Sequence, residues 1–210
     1  MKFKYNPRII KHLGTELITS DEIAITELIK NSYDAKAKSV RIHFLSSFAD
    51  LDRKNLLSKL PLEIGLEIGT TPNNSLIILE DDGIGMSLNT LRDGFFEIGS
   101  DLKAVAKSNQ SENDDIILGD KGIGRLSAQR LSQLLFVETK SSTDENINVV
   151  KIDWSKFIAS QDEDAPEIFI PKKDGSSYTR LWFLSTDEQP INIEKFFEYR
   201  KKHTVRHFRQ

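Results

Sequence analysis

The chain of 210 residues contains no cysteine. That excludes disulfide staples, thiolate catalysis and thiolate zinc sites, and it fits a reducing compartment. The four histidines are scattered and do not replace that metal chemistry. Long apolar runs are missing as well. No stretch approaches the roughly 18 to 20 consecutive apolar residues of a membrane span, and the opening "MKFKYNPRII" lacks the apolar segment of a secretory signal. The expectation is a cytoplasmic protein with no membrane partner. An excess of one charge is also lacking: a formal net charge of −3 creates no global field to gather nucleic acid. Only the tail "YRKKHTVRHFR" (199–209) is locally basic, and such a run is ordinarily a solvated helix face. Among phosphate motifs, G-x-x-x-x-G-K-[ST] is absent, which excludes a P-loop. "GIGRLS" matches the dinucleotide fingerprint imperfectly and does not directly follow a strand, and kinase-type catalytic loops are absent.

What is present reads as one α+β domain. Thr19 followed by Glu22 forms a capping box, and Ile25, Leu28 and Ile29 recur at helical spacing, which predicts a helix over 20–34. "SVRIHFL" then alternates as a half-buried strand. Residues 45–75 read as a surface insertion between strands, with a short helix at "ADLDRKNLLSKL" and a cluster of Gly, Pro and Asn at its end. "SLIILEDDGIGM" runs from a buried strand into an acidic glycine turn. Residues 87–118 are mostly polar, with a helix near "LNTLRDGFFEIG", and have the length of a functional lid. A helix over 124–133, a strand through Val137, and strands at "NVVKIDW", "EIFI" and "TRLWFLS" follow. The expected fold is a two-layer α/β sandwich with helices on one face of a mixed sheet. It occupies 1–190, and a basic helical tail (191–210) leads onward.

In "ELIKNSYDA", Glu27, Asn31 and Asp34 fall on the side of the helix opposite Ile25, Leu28, Ile29 and Ser32. A solvated polar stripe is one reading. Asn is a mediocre helix former that gains nothing from bulk water, so its placement four residues after Glu27 suggests a second. Its amide oxygen is a hard ligand suited to Mg²⁺, and a carboxylate one turn earlier can orient and deprotonate a water aimed at a phosphorus atom. In "DDGIGM", Gly83 and Gly85 permit close backbone approach to a ligand, and an Asp fixed there could accept from an exocyclic amine; a plain strand-ending turn reads equally well. "GDKGIGR" opens a helix and offers free amides to an anion, or is simply a turn.

Taken in order, "ELIKNSYDA", "DDGIGM" and "GDKGIGR" resemble the boxes of the GHKL superfamily, which includes gyrase B, the large heat-shock chaperones, sensor histidine kinases and MutL. The resemblance covers roughly residues 20–184 and implies a Bergerat fold that binds ATP with Mg²⁺. By position, it makes Glu27 the general base, Asn31 the magnesium ligand, and Asp34 with Ala35 the wall beneath the nucleotide. Asp81 becomes the adenine-reading carboxylate, chosen over Asp82 by the spacing Asp-x-Gly-x-Gly, with Gly83, Gly85 and Met86 around the base. Gly119, Gly122, Ile123 and Gly124 match the lid hinge at the phosphates, Lys121 or Arg125 adds charge there, and Thr179 supports the adenine from a late strand. Lys38 and Lys103 read as surface lysines.

Histidine kinases typically lack the Glu27 base, so the resemblance favours hydrolysis over phosphoryl transfer to protein. In gyrase and MutL a catalytic lysine comes from a following domain that this chain is too short to complete, so slow turnover is expected. The implied outcome is lid closure that drives a conformational switch or an ATP-dependent homodimer, with a DNA or protein client reached through further domains. A non-catalytic ATP-gated sensor and a histidine protein kinase are the alternatives.

Overall fold

The computed structural model of the protein describes residues 18–47, 60–70, 75–92, 124–159, 167–171, 176–186 and 189–195. In chain order these form α1 (Asp21–Asp34), β1 (Val40–Leu45), α2 (Leu62–Thr70), β2 (Leu76–Asp81), α3 (Gly124–Leu131), β3 (Leu134–Lys140), β4 (Asn146–Asp153), α4 (Trp154–Ala159), β5 (Glu167–Pro171) and β6 (Tyr178–Leu184).

Helix α1 begins where a short hydroxyl can satisfy a free amide. Ser20 is extended (φ −144°, ψ 160°) and accepts from the Ile23 N–H at 3.3 Å, while Asp21 and Glu22 put negative charge on the first turn. The cap is therefore Ser20, one residue later than the predicted Thr19 box. Glu22 bonds to the Ser20 side chain, which is the main reason its carboxyl lies below the ordinary range. Ala24, Leu28 and Ser32 are the buried line, with Ile25 packed beside it. Ile29, expected in that stripe, is 40% exposed, because it is turned about 100° past Leu28. The helix stops at Ala35, whose N–H donates to the Asn31 carbonyl at 3.0 Å, and at Lys36, whose φ of 60° sends the chain towards β1.

The sheet order is β1-β2-β6-β3-β4-β5, and all five pairings are antiparallel. The expected sandwich of sheet and helices is present, but the sheet is antiparallel rather than mixed. Period-two alternation divides its apolar residues between two cores. On one face Ile77, Leu79, Leu135, Val137, Val150, Ile152, Leu181 and Phe183 pack with Ala24 and Leu28 of α1 and with Ala128 and Leu131 of α3. Ala24 and Ala128 are fully buried, and their small size lets the two helices approach closely. The other face carries Leu76, Ile78, Leu134, Phe136, Val149 and Trp182, covered by Leu60 and by Ile64 of α2.

Thus helices lie on both faces, and α2 occupies ground read from sequence as a surface excursion. Two glycines and a flanking proline disguise it, yet Pro61 accepts the Gly65 N–H as the helix starts and Ile64 is fully buried. Apart from Leu60, the short helix predicted at 49–60 and the loop cluster at 71–74 lie outside the described residues. β4 ends one residue earlier than predicted. Asp153 accepts from the Ser155 N–H (3.1 Å) and hydroxyl (2.6 Å), which starts α4 at Trp154.

Beside the second core the sheet buries charge. Arg180 on β6 lies between Glu80 on β2 and Glu138 on β3. Its Nε donates to Glu80 Oε2 at 2.7 Å, its Nη2 also meets Glu80, and its Nη1 meets both Glu138 oxygens at 2.9 and 3.1 Å. Tyr178 Oη (2.5 Å) and Trp182 Nε1 (3.0 Å) donate to Glu138 as well. The guanidinium lies over both aromatic rings, at 4.9 and 5.6 Å from their centroids. Burial and the Glu138 carboxylate hold the Tyr178 hydroxyl protonated far above its usual range. Removing the cation would leave buried Glu138 with only the neutral Tyr178 and Trp182 donors, and Glu80 with only the exposed Arg41, 3.2 Å away. Arg180→Met is expected to lower unfolding stability by about 3–5 kcal/mol, read by urea titration; a loss below about 1 kcal/mol, the level of an exposed pair, would show that the cluster is solvated.

Candidate functional site

Antiparallel pairing sets Asp81, Thr179 and Thr139 side by side at one end of three strands, on the face that carries α1 and α3. Asp81 is buried at the last position of β2. Its Oδ2 accepts from Ser32 Oγ of α1 at 2.9 Å and its Oδ1 from the Gly83 N–H at 3.0 Å. Burial raises its pKa, and these hydrogen bonds oppose the rise without cancelling it. The carboxylate is thus desolvated and held by a hydroxyl and an amide. The Thr179 and Thr139 hydroxyls meet at 3.2 Å beside it.

Asp82, one residue on, points the other way. It is exposed, and it accepts from the amides of Lys38 (2.7 Å) and Ser39 (2.8 Å) and from the Ser39 hydroxyl (3.0 Å). The Ser39 backbone bond is the leading reason its pKa falls. Its work is to tie the α1–β1 turn to the end of β2. The two adjacent carboxylates differ in role because strand alternation sends one inward and one outward.

The glycines of the next loop are required by contact. A Cβ on Gly83 would lie 2.7 Å from the Ala35 carbonyl oxygen, and one on Gly85, at φ +66°, would lie 2.1 Å from that of Lys140. Ile84 N–H donates to Ala35 O at 2.9 Å, so the loop is pressed against the last turn of α1. Met86 N–H donates to Thr139 Oγ1 at 2.8 Å. Asp34, Ala35, Asp81, Gly83, Gly85, Met86 and Thr179 therefore gather around one corner of the fold.

Glu27 and Asn31 lie further back on α1. Counting 1.5 Å per residue, Glu27 is about 12 Å along the axis from Ala35, and Asn31 about 6 Å. Both are partly buried. Glu27 Oε1 accepts from Lys30 Nζ at 2.6 Å. Arg130 in the last turn of α3 holds Asp21 in the first turn of α1 at 2.9 Å. The other end of α3, where the helix opens at Gly124, lies away from that contact. Arg125 falls in this first turn of α3. Gly119, Lys121, Gly122, Ile123 and Lys103 lie outside the described residues, as does the lid sequence beyond residue 92. Its first piece, 88–92, is a helical turn, where Ser87 Oγ accepts from the Thr90 N–H at 3.2 Å.

Sequence reasoning passed over Ser32, Lys30 and Thr139. Ser32 carried a signal: a serine within an apolar stripe needs a buried partner. Lys30 stood three residues from Glu27, an ion-pair spacing. Thr139 stood in an ordinary strand and carried none.

A buried strand-end carboxylate thus lies beside a tightly turned glycine loop, backed by a helix that carries a second carboxylate and an amide. The chain belongs to the histidine kinase-, DNA gyrase B- and HSP90-like ATPase family, whose model matches residues 18–179, and it carries an ATP-binding domain of that kind. It is 28% identical over 181 residues to heat shock protein 90-6, mitochondrial, of Arabidopsis thaliana, covering 81% of this chain and 22% of that protein. Identity is 29% over 148 residues (68% and 20%) to the mitochondrial TNF receptor-associated protein 1 homolog of Dictyostelium discoideum. It is 32% over 139 residues (64% and 20%) to chaperone protein HtpG of Wigglesworthia glossinidia brevipalpis. The chain spans about a fifth of the length of these relatives. Among the described residues no helix is long and apolar enough to cross a membrane.

Proposed function

We propose that the domain binds Mg²⁺·ATP along α1, with the adenine at Asp81 and the phosphates towards Glu27, and hydrolyses it. The observation that carries this reading is the desolvated Asp81 carboxylate, held by Ser32 and Gly83 at the foot of a loop that leaves no room for side chains at two positions. A carboxylate kept from water and from cations suits a neutral donor such as an exocyclic amine. Thr179 and Met86 flank that position, while Asp34 and Ala35 form the wall beneath it. The spacing from Ala35 back to Glu27 matches the extent of a nucleoside triphosphate laid along the helix.

The donor chemistry fits a magnesium ion that arrives with the nucleotide. Among the described residues no group of three or more His, Asp or Glu could hold a metal alone, and Asn31 offers the single hard amide oxygen such an ion needs from protein. When bound, Mg²⁺ neutralises phosphate charge. Glu27 orients the attacking water and takes its proton, and Lys30 fixes the carboxylate's direction until the phosphates enter. Amides at the opening of α3, with Gly119, Lys121, Gly122, Ile123, Gly124 and Arg125, stabilise the charge that develops on the phosphoryl oxygens. Closure of the 87–118 lid then favours pairing of two copies, which act on a protein or DNA client in the cytoplasm.

Glu27→Ala is expected to keep ATP affinity and lose about 100-fold or more in turnover, measured by calorimetry and single-turnover hydrolysis; unchanged turnover removes Glu27 as the base. Asp81→Asn should weaken ADP binding by about 10- to 150-fold, the range for hydrogen bonds to a charged group. Thermal unfolding would show that the variant is folded, and a wild-type titration curve would refute the adenine assignment. Light scattering with a non-hydrolysable ATP analogue tests the pairing, and an unchanged mass at saturation would dismiss it.

A further inference from the structure

The loop at Gly85 and Met86 is held from outside the three sequence boxes. Asn148 of β4 is buried, and its Nδ2 donates to the Met86 carbonyl at 3.5 Å and to Asp144 Oδ2 at 2.9 Å. The same Asp144 oxygen accepts the Leu88 N–H at 2.9 Å. Met86 N–H is already bonded to Thr139 of β3, and Gly85 lies against the Lys140 carbonyl. Three hydrogen bonds thus tie Met86 and Leu88 to the β3–β4 hairpin, two of them through the Asp144–Asn148 pair, and Gly85 packs closely against it. Within this segment Ser87 caps the 88–92 helical turn, and Leu91 is buried in the core beneath α1. The pair therefore sits between the glycine loop and the 88–92 helical turn.

A hairpin of this kind ordinarily needs only its own ladder. An aspartate and a buried asparagine that spend their polar atoms on another segment's amide and carbonyl are placed to shape that segment. We infer that Asp144 and Asn148 are positioning residues for the nucleotide: they hold Met86 and Leu88 in the conformation that receives the base. The inference rests on the proposed nucleotide reading. It extends that reading to a surface turn, because Ser142, Thr143 and Glu145 of the same hairpin are exposed.

The test compares Asp144→Ala, Asn148→Ala and Asp144→Asn with wild type, by ADP calorimetry and by amide hydrogen exchange at Met86 and Leu88. Asp144→Ala and Asn148→Ala should raise the ADP dissociation constant about tenfold, the effect of losing one or two such hydrogen bonds. Asp144→Ala should also speed exchange at the Leu88 amide. Asp144→Asn keeps an oxygen for the Leu88 amide and should recover most of the affinity, an outcome that a general loss of stability would not give. If Asn148→Ala fails to fold, the two Asp144 variants, at a partly exposed position, decide the matter alone. Wild-type affinity in every folded variant, or equal losses in Asp144→Ala and Asp144→Asn, overturns the inference and leaves the nucleotide reading standing. A wild-type protein that binds no adenine nucleotide overturns both.

Discussion

Three central strands meet in two neighbouring cross-strand rows, Glu80–Arg180–Glu138 on one face and Asp81–Thr179–Thr139 on the other. Everything at the candidate site depends on that registration. A slip of one residue in β6 would face Thr179 towards Glu80 and send Arg180 into the apolar layer beneath α1. The Arg180 fork, engaged by carboxylates from both flanking strands, is satisfied in one alignment only. A buried ion cluster adds little net stability compared with apolar packing, but its penalty for misalignment is large. Here that penalty falls on slips that would disperse the corner around Asp81.

The site itself runs against stability. Burial raises the Asp81 pKa, so ionising this carboxyl in the folded protein carries a cost. Because its folded-state pKa lies above the unfolded one, this group's contribution becomes more favourable as pH falls through the folded value, and its penalty is fully present only above that value. Gly83 and Gly85 spend backbone entropy to let the loop close on Ala35 and Lys140. Asp82 offsets part of this by capping three donors of the α1–β1 turn. The same dipeptide therefore carries a desolvated carboxyl group and its local compensation.

Much of the fold was legible in local pattern. Helix α1, the alternating strand β1, the buried runs of β2 and β3, and the later strands follow from periodicity and turn residues. The direction of pairing does not, since chain order alone leaves parallel and antiparallel neighbours open, and the sheet is antiparallel throughout. Helix α2 was hidden because Gly65, Gly69 and Pro61 read as loop, while the burial of Ile64 depends on a sheet face assembled from distant strands. At the site, the inward and outward turn of Asp81 and Asp82 is a matter of parity that sequence can express. The partners Thr139, Asp144 and Asn148 lie more than 50 residues from the atoms they hold, so no local spacing could mark them.

Hairpin turns are usually where a family accumulates insertions and deletions, since little depends on them. The β3–β4 turn is different, because Asp144 and Asn148, one on either side of its exit into β4, must reach a loop on another part of the chain. Its exposed letters are free to drift, but its length is not. Across descendants of this sequence, gaps should cluster in the other connections and avoid this one.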